Sequence, residues 1–175
     1  MTYAAGQTAF IAGMAEAEAV VQPWWGRYDE AARYGVPPHV TVLFPFLPLD
    51  DVDVGVIETL AGIARAQPRF VVEFGSCARF PTVLYLRPEP DTPFRRLTAA
   101  VTAQWPQAPP YCGQFDEVMP HLTVAQAVPE RFDEIEADVV TRLPLRTEVT
   151  ELQLLAFDGQ RWASRYRLPL GSAVS

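Results

Sequence analysis

Val36-Pro37-Pro38-His39-Val40-Thr41-Val42 and Val118-Met119-Pro120-His121-Leu122-Thr123-Val124 align without a gap, 82 positions apart, with five of seven residues identical. The chain has only two histidines, and these segments contain both. Proline ahead of each histidine forces an extended entry, and the residues that follow read as buried strand. Side chains alternate along a strand, so His39 and Thr41 project from one face, about 6.5–7 Å apart. Val40 and Val42 project from the other, and His121, Thr123, Leu122 and Val124 repeat the pattern. An internal repeat decides the fold before any local propensity does. This one predicts two similar lobes about an approximate two-fold axis, with the repeated strands facing one another.

The elements around the two segments repeat as strand, helix, strand, helix, strand. Thr8 to Met14 reads as a strand. Ala17 to Tyr34 reads as a helix broken at Pro23 and ended by Gly35. Asp50 and Asp51 suit the start of a helix whose apolar stripe is Val54, Ile57, Leu60, Ala61 and Ala64. Arg69 to Cys77 and Thr82 to Arg87 are strands, and Asp91 and Thr92 cap a helix over Pro93 to Trp105. His121 to Val128 is a strand, and Pro129 and Glu130 open a last helix. Two final strands cover Arg146 to Phe157 and Trp162 to Leu168. With no linker or low-complexity segment, residues 1–175 are expected to be one domain, with a first repeat over about 7–78 and a second over about 82–169. The expected class is α+β: a bilobal pseudo-two-fold duplication, each lobe an antiparallel sheet with helices on its outer face, around a shared central groove.

Composition narrows the function. The net charge is −7, and all fourteen basic residues are Arg. Long nucleic acids are held by neutralising many phosphates, so this balance favours a small nucleotide-like ligand over a polymer. No apolar run approaches the roughly 18–20 residues that span a bilayer, which excludes a membrane helix. The segment Met1 to Val21 carries Glu16 and Glu18 and no basic residue, unlike a signal peptide, so a cytoplasmic location is expected; the chain is also expected to be a monomer. Cys77 and Cys112 lack paired spacing and read as reduced thiols. A zinc site built from them and the two histidines would leave both threonines unexplained, so neither metal nor cofactor is expected.

Two symmetric His-x-Thr strands would set two imidazoles and two hydroxyls around one point. A neutral imidazole takes a proton from an attacking oxygen while a protonated one gives a proton to a leaving oxygen. An unperturbed pKa of about 6.5 keeps both forms at hand. Thr41 and Thr123 would donate to the non-bridging oxygens of a phosphodiester, where charge accumulates. A lone His-x-Thr is usually a core histidine beside a strand-favouring threonine. Its duplication in matched contexts shifts the balance to a catalytic pair of His39 and His121.

These motifs, His39-Val40-Thr41-Val42 and His121-Leu122-Thr123-Val124, resemble the signatures of the two-histidine (2H) phosphoesterase superfamily, and within it the bacterial 2′-5′ RNA ligase family. The approach Gly35 to Pro38, the run Leu43-Phe44-Pro45-Phe46 and the segment Phe80 to Leu86 extend the resemblance over nearly the whole chain. It implies a bilobal fold and metal-independent hydrolysis of 2′,3′-cyclic phosphates or 2′-5′ linkages. By the same resemblance, His39 would protonate the leaving oxygen and His121 would activate water. Ligase-like members often carry Arg five residues after the second histidine. Here that residue is Gln126, which lowers the expectation of RNA ligation, and ideal strand parity turns it from the groove unless a bulge intervenes. A non-catalytic nucleotide- or phosphometabolite-binding module using the same groove is the alternative.

Trp24, Trp25, Phe44, Phe46, Tyr85, Tyr111 and Phe115 are candidates for stacking on a base, each weighed against a place in the core. Tyr85 is the first choice, with Phe44 and Gln126 as further substrate-binding candidates. Arg95-Arg96 and the run Glu130 to Asp138 read as solvated helix faces.

Overall fold

The computed structural model describes residues 3–173, so the extreme ends of the expected domain lie outside the described residues. In chain order the elements are β1 (Thr8–Gly13), α1 (Glu18–Val21), α2 (Trp24–Tyr28), α3 (Glu30–Arg33), β2 (His39–Leu43), α4 (Val54–Ala66), β3 (Phe70–Phe80) and β4 (Val83–Glu89). There follow α5 (Thr92–Gln104), β5 (Leu122–Gln126), α6 (Phe132–Val139), β6 (Leu145–Val149), β7 (Glu151–Phe157) and β8 (Trp162–Pro169). The described residues form an eight-stranded antiparallel sheet in the order β6-β3-β4-β5-β2-β1-β7-β8. The class is α+β. The two motif strands, β2 and β5, are the middle pair and meet where Val40 faces Leu122.

Burial follows the alternation of the motifs. Val40, Val42, Leu122 and Val124 are at most 1% exposed and belong to the main core under the helices. Each such aliphatic side chain contributes about 1.5–3 kcal/mol on leaving water. The helices cover the motif strands crosswise, with α5 packed on β2 and α2 on β5. The opposite face carries a smaller apolar cluster, with Ile11, Leu155, Phe157 and Trp162 buried and Phe44 against them.

Each half of the sheet draws strands from both stretches of chain. β3 precedes position 82 yet pairs with β4 and β6, whereas β7 and β8 lie beyond it and extend outward from β1. The expected single strand over Arg146 to Phe157 is therefore two. β6 ends at Val149 beside β3, β7 begins at Glu151 beside β1, and the two lie in opposite halves of the sheet. The apolar alternation slips by one residue at the junction, where Thr150 and Glu151 stand between buried Val149 and buried Leu152, and that slip marks the crossing.

Two other local expectations also change. The fourth helix is capped by Asp53, whose carboxylate accepts from Val56 N at 2.9 Å. Asp50 and Asp51 sit in the preceding 3-10 turn. The helical stretch after β1 breaks twice, around Pro23 and again at Asp29, whose extended backbone lets its side chain cap α3 through Ala31 N at 2.9 Å.

The register shifts at the same point in both motifs. Phe10 pairs with Leu43 but Ile11 with Thr41, and Leu84 pairs with Ala125 but Tyr85 with Thr123. One extra residue, Val42 or Val124, is accommodated in each strand in the manner of a bulge. The buried pairs Val42–Leu43 and Val124–Ala125 result. The next residues, Phe44 and Gln126, are thereby returned to the groove side.

Candidate active site

His39, Thr41, His121 and Thr123 line one cavity of about 610 Å³. Its position follows from the sheet: two central strands each turn their histidine and threonine to the uncovered face. The two imidazoles are fixed by one device. His39 Nδ1 lies 2.8 Å from the Pro37 carbonyl, and His121 Nδ1 lies 2.8 Å from the Met119 carbonyl. Carbonyls only accept, so Nδ1 carries the proton and donates, and Nε2 of each ring is left for chemistry. Pro37 and Met119 each precede a proline, which holds their backbone extended and aims the accepting carbonyl.

The surroundings differ. His121 sits against Phe80 and Tyr85, with ring centroids 5.4 and 5.5 Å away. Burial among these rings pushes its pKa below the ordinary imidazole value, and the nearby His39 acts in the same direction. The Met119 bond and the Asp29 charge oppose the shift. Asp29, only 2% exposed, lines the cavity as well. Burial pushes its carboxyl above the usual carboxylate range against the attraction of His39 and hydrogen bonds from Ala31 N, Gln126 and Trp25. Gln126 Nε2 donates to Asp29 Oδ1 at 2.8 Å. The register shift at Val124 makes that contact possible.

Thr41 shares a hydrogen bond with the Tyr111 hydroxyl, whose pKa is raised by burial. Tyr111 is delivered by a loop in which it and Cys112 have φ of 50° and 56°, a region costly for residues other than glycine. Its N–H donates to the Phe44 carbonyl at 2.6 Å, pinning the loop to the end of β2.

Of the expected aromatic contacts, Phe44, Tyr111 and Phe115 line the cavity. Tyr85 does not. It is 4% exposed and lies beneath Phe80, stacked at 4.4 Å, so Phe80 is the ring that reaches the cavity. Trp25 and Phe46 belong to the core under the helices, and Trp24 stacks on Tyr28 away from the groove. Asp29 and Trp162 carry no local motif, and the sequence reading missed both. Cys77 and Cys112 are free. Among the described residues no three His, Cys, Asp or Glu side chains converge as a metal site, and no helix is long and apolar enough to cross a membrane.

Known proteins share the chain's family and its fold. A family model described as the 2′-5′ RNA ligase superfamily matches residues 14–161. Solved structures with the same fold include LigT of E. coli complexed with NADP+, at 21% identity and a TM-score of 0.59, covering 97% of this chain and 100% of that one. TT0787 of Thermus thermophilus has 17% identity and a TM-score of 0.63, covering 95% and 98%. A further structure named only as a phosphoesterase has 20% identity and a TM-score of 0.58, covering 95% and 99%. No curated protein matches by sequence.

Proposed function

The chain belongs to the 2′-5′ RNA ligase superfamily, and on that basis we propose that it is a phosphodiesterase acting by acid–base catalysis between His39 and His121. The substrate class is a small nucleotide-like phosphodiester, foremost a 2′,3′-cyclic phosphate or a 2′-5′ linkage. The observation that carries the reading is the matched pair of Nδ1 tethers, which free both Nε2 atoms for one cavity. Crystal structures of the LigT relative with 3′-AMP and with ATP favour a ligand of nucleotide size.

In the proposed reaction neutral His121 takes a proton from water through Nε2 as the oxygen attacks phosphorus. His39, protonated at Nε2, gives its proton to the departing ribose oxygen. The P–O bond to that oxygen breaks, leaving a phosphomonoester and a free hydroxyl. The pair ends with the proton on His121 instead of His39, and exchange with solvent restores the starting state. Burial favours the neutral form of His121, which suits it to the role of base. The complementary role of acid falls to His39, whose Nδ1 is tethered in the same way on the same cavity. Thr41 and Thr123 donate to the non-bridging oxygens in the transition state. Both proton transfers are met by imidazole, so no metal is required. Nucleoside 2′,3′-cyclic phosphates incubated with the protein in excess chelator test this reading. Turnover unaffected by the chelator is expected. Binding without turnover would favour the non-catalytic nucleotide-binding alternative.

A further inference from the structure

The charges around the cavity point to the substrate's own charge. Its ionisable lining residues, among those described, are the two histidines, Asp29, Glu117 and the tyrosines Tyr3 and Tyr111; no arginine lines it, and the chain has no lysine. Burial raises the pKa of both tyrosines, Tyr3 to about 12, so they stay uncharged near neutrality. Glu117 is at the rim, where Arg95 pairs with it at 2.9 Å. Arg79, Arg131, Arg142 and Arg167 pair with carboxylates elsewhere. The acidic side chain that remains inside is Asp29, held by Ala31 N and Gln126 at 2.9 and 2.8 Å. As a helix cap alone, Asp29 could be replaced by a neutral serine or asparagine. A buried carboxylate in a cavity that receives an anion is a standing electrostatic cost, offset only by an imidazolium.

Resting on the function proposed above, we infer that the cavity selects phosphodiesters that bring a single negative charge on an otherwise uncharged body, and that Asp29 is the residue that sets this limit. The one imidazolium faces both the Asp29 carboxylate and the diester charge, so no positive charge is left over. A second phosphate on the substrate finds no cation and meets Asp29. At an effective dielectric of about 20, an added charge some 8–10 Å from a carboxylate is disfavoured about fifteen- to thirtyfold. The phosphomonoester product, which gains a second charge near neutrality, is disfavoured for the same reason and leaves readily. Apolar side chains such as Phe44, Phe80 and Trp162 line the rest of the cavity and suit the uncharged body of such a substrate.

The test compares kcat/KM for adenosine 2′,3′-cyclic phosphate with that for the same compound carrying a 5′-phosphate, at low ionic strength. The singly charged compound is expected to be preferred by about tenfold or more, with the gap shrinking as salt is added. Asp29→Asn should narrow the preference at least about threefold. Because that change also alters the cap of α3, Gln126→Arg provides an independent check, setting a cation against the same carboxylate and narrowing the preference likewise. Equal kcat/KM for the two compounds, or a preference that neither folded variant narrows, would overturn the inference while leaving the phosphodiesterase reading intact. Failure of the wild-type protein to open either compound would overturn both.

Discussion

His39 and His121 stand on the same backbone device and in different company. Both follow proline, both are tied through Nδ1 to the carbonyl two residues back, and both precede a register shift that buries the third and fourth residues after the histidine. Yet His121 is walled by the rings of Phe80 and Tyr85, and the charge of Asp29 acts on both imidazoles. A near-symmetric scaffold can in this way serve an asymmetric reaction. Matched Nδ1 tethers leave the two Nε2 nitrogens to one cavity, and burial lowers the pKa of His121.

Deleting either histidine should have the largest effect. His39→Ala and His121→Ala should each lower turnover about 10²–10⁴-fold, measured as initial rates on a cyclic nucleotide. The double variant should fall little further, because either loss already disrupts the concerted pair. Next in size, Thr41→Val and Thr123→Val should each cost about 10–10³-fold in kcat. Thermal melts should change little, since the half-buried hydroxyls face the groove and not the core. A larger cost at Thr123 than at Thr41 would extend the asymmetry to the hydroxyls, because that of Thr41 is already shared with Tyr111.

Smaller effects should appear in the pH profile, and with opposite signs. The acid limb reports protonation of the base, and burial lowers the pKa of His121, so in the wild type that limb should lie below about 6.5. Phe80→Ala admits water to the ring, so the limb should move to higher pH. Asp29→Asn removes a charge that favours protonated His121, so the limb should move to lower pH, with turnover reduced about tenfold, equivalent to about 1.4 kcal/mol of transition-state stabilisation. Shifts in the same direction for both variants would contradict this division of surroundings.

The pairing of each histidine with its threonine was legible in the sequence because it is local. A two-residue period puts His39 and Thr41, or His121 and Thr123, on one face whatever the rest of the chain does. The surroundings were not legible because they are assembled from afar. Asp29 meets Gln126 across 97 positions, and it reaches the cavity through a helix break that no proline announces. Gln126 would face away at ideal parity, and one extra residue at Val124 reverses it. Tyr85 and Phe80 are interchangeable by composition, and only packing decides which ring lies over the other. β6 and β7 read as one strand although the alternation slips at Thr150-Glu151, a short signal between two alternating runs.

The division of roles can be decided with a nucleoside phosphodiester whose leaving group is nitrophenolate, which departs without a proton. Relative rates of wild type, His39→Ala and His121→Ala should be compared on this substrate and on one with an ordinary ribose leaving group. The expected result is that the activated substrate restores most of the rate lost in His39→Ala and almost none of that lost in His121→Ala. Equal rescue of both, or rescue confined to His121→Ala, would contradict the assignment of His39 as acid and His121 as base.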